Sequence, residues 1–412
     1  MARTLVGTVL TGLGTAGLVY VCARGVGPVP PIGPLVDPVT GVAAAVREGD
    51  LPADARDAIP GLAGKVDVRI DARGVPHIFA SSQRDAYTAL GYVVARDRWF
   101  QMELSYRAAA GRLTELVGAR ALEVDQEARH IGLDWAAERK WAAVPDSDAG
   151  KQAMIAFANG ANAYRATMTP ATTPIEYKIL GVEPMPRWEP KYATYLLMRM
   201  AMTLAYDPED LQRTRVAALV GRAAADALFP RDMPLQEPIQ PVPGRTAPRE
   251  AFATLPPPGA PDSTLLGPAA AARAVERVTR GLAPRVDGGD ALGSNNWAVG
   301  PRRTASRGAM LAGDPHLDLT LPSIWYEAHL VVRDTLDVYG VTFPGSPTIV
   351  IGFNPHVAWT FTNTGGDVAD YYLEEVDVPA KPTRYKVDGA WRDFTKRREF
   401  YRNAAGDTIT AE

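Results

Sequence analysis

Apolar and polar positions alternate with a period of two over Val66 to Ile70, and again over His77-Ile78-Phe79-Ala80. Between them lies the turn-forming run Asp71-Ala72-Arg73-Gly74-Val75-Pro76. The pattern predicts two strands joined by a tight turn. After Ser82 the period lengthens to that of a helix, predicted over Asp85 to Leu104. Helices are also predicted over Ala153 to Met168 and Tyr192 to Ala205, with Pro184, Pro186 and Pro190 breaking the chain between them. Asp207-Pro208-Glu209-Asp210 reads as another helix start, where carboxylates suit the positive end of the helix dipole. Residues 236–293 read as a spacer: Pro238, Pro241, Pro243, Pro248 and Pro256-Pro257-Pro258 exclude regular structure over much of it, and only Ala269 to Arg280 has helical character. Past Gly293 the pattern turns to strands, at Asn296 to Val299, Ala309 to Ala312, the apolar run Ile349-Val350-Ile351, Thr360 to Asn363 and Thr408 to Ala411. A helix-rich first part followed by a strand-rich second part predicts an α+β fold.

The N-terminus stands apart. Leu5 to Val21 is apolar or small throughout, with Arg3 before it and Arg24 after it. That order is the one found in secretory signals, and the length reaches the lower end for a membrane-spanning helix. Residues 1–25 are therefore expected to be a signal peptide or membrane anchor, and 26–60 a Pro/Gly-rich linker. Gly12-Leu13-Gly14-Thr15-Ala16-Gly17 matches a dinucleotide-binding fingerprint, but no strand precedes it and no βαβ pattern follows, so it reads as chance.

Composition narrows the field. The chain has 412 residues, 46% hydrophobic and 22% charged, which is globular and sufficient for a substantial core. A net charge of -3 gives no sign of nucleic acid as a partner. The single cysteine, Cys22, excludes an intramolecular disulfide framework and a cysteine-based metal cluster. No zincin helix, nucleophile elbow or phosphate loop occurs.

The candidate chemistry centres on Gly293-Ser294, at the boundary between loop and strand. A glycine permits a strained turn, and the Ser294 hydroxyl could then attack the preceding carbonyl. Cleavage would leave Ser294 with a nucleophile and a free α-amine. That amine, with a reference pKa near 8, can serve as base for its own hydroxyl. The bland alternative is a Gly-Ser turn leading into a strand. Asp314-Pro315-His316-Leu317-Asp318 admits two more readings: alternating metal ligands on a strand face, which Pro315 disfavours, and a Ser-His-Asp triad with Ser294. Arg96, Asp97, Arg98 and Glu103 read as one ion-pair network, and His77 as a packed or hydrogen-bonded core histidine. The Met-rich segment Leu196 to Met202 reads equally as a pocket wall or as a buried core helix.

Several of these segments, in order, resemble the penicillin acylase family of N-terminal-nucleophile amide hydrolases. They are Gly293-Ser294-Asn295-Asn296-Trp297-Ala298-Val299, Gly313-Asp314-Pro315-His316-Leu317, Trp325 to Leu330, Ile351-Gly352-Phe353-Asn354 and Ala358 to Asn363. Upstream, Gly74-Val75-Pro76-His77-Ile78, Gly91 to Met102 and Ala110 to Gly118 match the start of that family's smaller chain. The resemblance implies a four-layer αββα sandwich. It divides the sequence into a small chain (61–235), an excised spacer (236–293) and a catalytic chain beginning at Ser294 (294–412), so that the mature form is a heterodimer cut from one precursor. It implies that Ser294 is the catalytic nucleophile and that His316 lies beside it to orient it. The backbone N–H of Asn363 would be an oxyanion donor, and Leu317 and Ile351 would contact the acyl group. It further implies a structural Ca²⁺ held by Glu209 (or Asp210), Asp367, the carbonyl of Ala369 and Asp370. The implied substrate is an acyl amide, such as a β-lactam side chain or an N-acyl homoserine lactone, and no organic cofactor is implied. Against that pattern the chain stops early in the catalytic chain: a second oxyanion donor, an Asn, and a nearby Arg are expected beyond Glu412. A fragment serving as an inactive scaffold is the alternative reading.

Overall fold

The computed structural model describes residues 2–24, 31–48, 56–230, 257–279, 294–317, 319–363 and 368–411. The chain divides into two compact units. The first takes residues from both sides of position 294: Met1–Ala201, Arg285–Asn363 and Glu399–Glu412. The second comprises Met202–Pro284 and Thr364–Arg398.

The first unit begins with α1 (Ala2–Arg24), within which Val6–Arg24 is long and apolar enough to cross a membrane. The fingerprint-like glycines lie inside this helix, where no phosphate-binding turn can form. Two short helices follow, α2 (Gly33–Val36) and α3 (Val42–Glu48). The expected hairpin is β1 (Asp67–Ile70) paired antiparallel with β2 (Pro76–Ala80). Ser82 then caps α4 (Gln83–Ala110), accepting the Asp85 N–H at 3.1 Å, and Gly111 ends it in the left-handed conformation. Beyond it come α5 (Thr114–Val117), α6 (Leu122–Ile131), α7 (Leu133–Ala143), α8 (Ala149–Thr167), α9 (Ile175–Leu180) and α10 (Tyr192–Ala205).

After position 294 the described elements are almost all strands. They are β3 (Ser294–Val299), β4 (Met310–Pro315), β5 (Tyr326–Val332), β6 (Leu336–Thr342), β7 (Ile351–Phe353) and β8 (Ala358–Trp359). The main sheet runs β1-β2-β5-β6-β7-β8, with β2 and β5 parallel and the other neighbours antiparallel. Its strands alternate strictly. Ile78, Tyr326, Ala328, Leu330, Val332 and Val338 face the core made with Leu90, Trp99 and Met102 of α4 and Phe157 of α8. The opposite face carries the half-buried His77, His329, Tyr339 and Ile351 and the exposed Phe353.

The helical layer owes its closeness to two glycines. A Cβ on Gly160 of α8 would lie 1.7 Å from the Thr88 carbonyl oxygen, and one on Gly91 of α4 would lie 2.0 Å from that of Phe157. Gly160→Ala is therefore expected to destabilise the chain by about 1–3 kcal/mol through overpacking. Thermal unfolding checks this, and an unchanged midpoint would refute it.

The sequence groups Arg96, Asp97, Arg98 and Glu103 together, but the structure separates them. Arg96 Nε bonds Asp97 Oδ1 at 2.7 Å, and Asp97 also accepts the Tyr326 hydroxyl at 2.7 Å. Arg98 instead bonds Gln101 and the Ser323 carbonyl, where α4 departs from helical geometry. Glu103 is fully buried and accepts Arg107 Nε at 2.7 Å, the Tyr177 hydroxyl at 2.6 Å and the Met185 N–H at 2.8 Å. Thr360 to Asn363 is also not a strand. The ladder stops at Trp359, and Thr360 turns its side chain onto β4. The unit closes with β12 (Phe400–Arg402) paired with β13 (Thr408–Ala411).

In the second unit, α11 (Glu209–Val220) packs against α12 (Arg222–Leu228) and α13 (Leu266–Thr279), and β9 (Glu375–Val376), β10 (Arg384–Val387) and β11 (Ala390–Asp393) form a small sheet. Of the spacer, 257–279 is described, and α13 covers the stretch read as helical as far as Thr279, with Arg280 outside the described residues.

Candidate active site

Ser294 opens β3, whose partner is β4. The register sets Ser294 opposite Pro315, Asn296 opposite Gly313 and Ala298 opposite Leu311. Residues at alternate positions share a face, so these six stand on one side of the ribbon. Pro315, which cannot donate to a ladder, sits at the strand end, where its missing N–H costs least.

At Gly313 that face meets Thr360. A Cβ on Gly313 would lie 1.8 Å from Thr360 Oγ1 and 2.5 Å from Thr360 Cβ, so only glycine admits the contact. The Thr360 and Thr362 Oγ1 atoms are buried there without a hydrogen-bond partner. The β7–β8 register pairs Phe353 with Ala358 and Gly352 with Trp359. The ladder ends there, and Ile351 pairs with Val341 of β6 instead. Ser294 and Thr360 thus share one side of the ribbon. Asn363 lies three residues past Thr360 and is exposed.

His316 follows Pro315 directly, and its Nε2 lies 3.0 Å from Asp314 Oδ2. Asp314 alternates with Pro315, so it stands on the face opposite to that of Ser294, and the His316 ring lies with it. What adjoins Ser294 is the Pro315–His316 backbone. Leu317 is half-buried, its N–H bonded to the Pro315 carbonyl at 3.1 Å. Gly293, Asp318 and Asp367 lie outside the described residues.

The expected metal ligands belong to the second unit. The Tyr371 hydroxyl donates to the Asp207 carbonyl at 3.0 Å, which brings the segment carrying Ala369 and Asp370 to the start of α11, where Glu209 stands. Asp207 Oδ1 caps that start, accepting the Glu209 N–H at 2.8 Å. Glu209 itself faces Arg213, at 3.7 Å. Among the described residues no three His, Cys, Asp or Glu side chains converge on one point. The two segments meet here, then, through Tyr371 and Asp207, but no carboxylate cage forms among the described residues.

A cavity of about 750 Å³ opens by the β5–β6 turn, lined by Gln83, Tyr87, Arg333, His356 and Trp359 among others; Ser294 does not border it.

Comparisons with known proteins bear on this arrangement. The family model of penicillin amidase matches residues 65–412. The chain is 35% identical over 349 residues to the penicillin acylase 2 proenzyme of Pseudomonas sp. (strain SE83), a match covering 81% of this chain and 41% of that protein. It is 31% identical over 350 residues to the acyl-homoserine lactone acylase QuiP of Pseudomonas aeruginosa, covering 83% of this chain and 38% of that one. The structure of a thermostable penicillin G acylase from Alcaligenes faecalis aligns over 44% of this chain and 97% of its own, at 25% identity and a TM-score of 0.36. The chain thus spans about two fifths of the length of the curated relatives it matches. On the extent of the family match and the identity to these relatives, this chain belongs to the penicillin amidase family.

Proposed function

We propose that this chain carries the nucleophile of a self-processing amide hydrolase that removes an acyl group from an amine. The observation that carries the reading is the placement of Ser294: the first residue of a paired strand, preceded in sequence by glycine, on a ribbon face that Thr360 meets at Gly313. Family membership and the word proenzyme in one relative's name support it.

In the first step the Ser294 Oγ attacks the Gly293 carbonyl, and the acyl group passes from nitrogen to oxygen. Water then hydrolyses that ester, freeing the Gly293 carboxylate and the Ser294 α-amine. In turnover the amine takes the hydroxyl proton as Oγ attacks the substrate carbonyl, then delivers it to the departing amine. A second water releases the acid and restores Ser294. The α-amine suits this role better than the His316 imidazole, which is held by Asp314 on the other face. The Asn363 N–H would stabilise the oxyanion, an effect of about 3 kcal/mol for such a donor. Leu317 and Ile351 favour an apolar acyl group. Relatives named for penicillin and for acyl-homoserine lactones make a β-lactam side chain or an N-acyl homoserine lactone the substrates to try first. In this reading α1 is an export leader or anchor and the mature form is a heterodimer. Mass spectrometry of the purified chain tests it: a new N-terminus at Ser294 is expected, and a chain left whole would favour the inactive-scaffold alternative.

The same reading gives a structural role to Ca²⁺ at Glu209, Asp367, the Ala369 carbonyl and Asp370. A saturating ion, at about 100 times its dissociation constant, would stabilise the chain by about 2.7 kcal/mol. The melting temperature is expected to rise with Ca²⁺, to fall with chelator, and to respond to neither in Asp370→Ala.

A further inference from the structure

Two imidazoles meet on the half-buried face of the main sheet, apart from Ser294. His77 of β2 and His329 of β5 are register partners across the parallel pair, and their Nδ1 atoms are 3.0 Å apart. The rings meet edge to face, with centroids 5.2 Å apart and planes at 84°. The second nitrogen of each ring faces a carboxylate. His329 Nε2 is 3.0 Å from Asp337 Oδ1, and His77 Nε2 is 3.6 Å from Asp71 Oδ2. A carboxylate accepts only, so His329 Nε2, at hydrogen-bond distance from Asp337, carries that ring's hydrogen, whereas the 3.6 Å contact of His77 with Asp71 is too long to fix the His77 tautomer. His329 Nδ1 then presents a lone pair to His77 Nδ1, and what joins the two nitrogens is either a His77 hydrogen or another electrophile.

We propose that His77 Nδ1 and His329 Nδ1 form a binding site for a late first-row divalent ion, Zn²⁺ being the reference case, with water completing its shell. Two nitrogens at tetrahedral angles around zinc lie about 3.3 Å apart, a few tenths of an ångström from the spacing seen. Imidazole nitrogen suits zinc, copper and nickel, whereas Ca²⁺ takes oxygen, so this site is chemically distinct from the one at Glu209. A carboxylate on the outer nitrogen is the usual means of orienting a metal-bound histidine. Here Asp71 is itself fixed, its Oδ1 accepting the N–H groups of Arg73 and Val75 at 2.8 and 2.9 Å. The neighbouring cation, Arg73, is engaged by Tyr339 at 2.6 Å and Glu327 at 3.2 Å. The histidine side chains are 26% and 21% exposed, so an ion can reach them from solvent. Nothing in this site depends on Ser294.

Calorimetric titration of Zn²⁺ into the chelator-treated chain tests the proposal. One ion per chain is expected to bind. His77→Gln and His329→Gln should each abolish that event, Asp337→Asn should weaken it 10–100-fold, and His130→Gln and His356→Gln should leave it intact. With Cu²⁺ as probe, paramagnetic resonance should show coupling to two nitrogens. Absence of saturable binding, or binding unchanged in both His77→Gln and His329→Gln, would mean that only a proton bridges the pair and would overturn the proposal. Should the histidine variants lose their circular dichroism, Asp337→Asn decides: unaltered affinity refutes the site.

Discussion

Ser294→Ala is expected to yield a chain that stays whole, with no fragment beginning at position 294, and to lower amide turnover by about 10⁶-fold. That is the scale seen when a nucleophile acting with its own base is removed from a hydrolase. In the proposed reading one hydroxyl serves twice, first on the Gly293 carbonyl and then on the substrate. Mass spectrometry reads the first role and amide hydrolysis the second. A triad built on His316 predicts otherwise: turnover would need no scission, and blocking α-amines would leave it unaffected. Scission persisting in Ser294→Ala would end the assignment of the nucleophile.

The second large effect is on stability. Glu103 has no exposure, and its two oxygens accept from Arg107, the Tyr177 hydroxyl and the Met185 N–H. Burial and the neighbouring Glu103 carboxylate hold the Tyr177 hydroxyl firmly protonated, its pKa raised well above the usual range. Glu103→Ala would strand a guanidinium that is only 12% exposed, together with two buried donors, although Glu115 remains as a second partner of Arg107. Removing one member of a buried ion pair costs about 3–5 kcal/mol. Urea unfolding should show a loss of that order, with Glu103→Gln losing less. A change within about 0.5 kcal/mol would show that Glu115 carries the site alone.

Much of the fold could be read from period alone. The hairpin before α4, the Ser82 cap and the bounds of α10 follow from local preference, and local preference prevailed there. Where the reading failed, contacts distant in sequence decided. Thr360 to Asn363 has the composition of a strand, but Thr360 is claimed by Gly313, some fifty residues earlier, and leaves the ladder. The glycine in a strand pattern was the available signal, since such a residue often marks a close approach of another segment. Arg96, Asp97 and Glu103 were grouped by proximity in sequence. Six residues of helix separate Asp97 from Glu103 by about 240° around the axis, so they face different neighbours. The place of Ser294 at the head of a strand was legible because the change from loop to strand pattern is local. The meeting of His77 with His329 was not, because 252 residues of chain lie between them.

The parallel pairing of β2 with β5 has one more consequence. A chain cut ahead of Ser294 would still share a single hydrogen-bonded sheet, His77 to Ala80 lying along His329 to Val332. The two pieces could then part only as that sheet came apart, so separation and denaturation would be one event. Once parted they would have to meet again by collision. Recovery from denaturant would become dependent on concentration after scission, whereas the uncut precursor would refold at a rate indifferent to dilution.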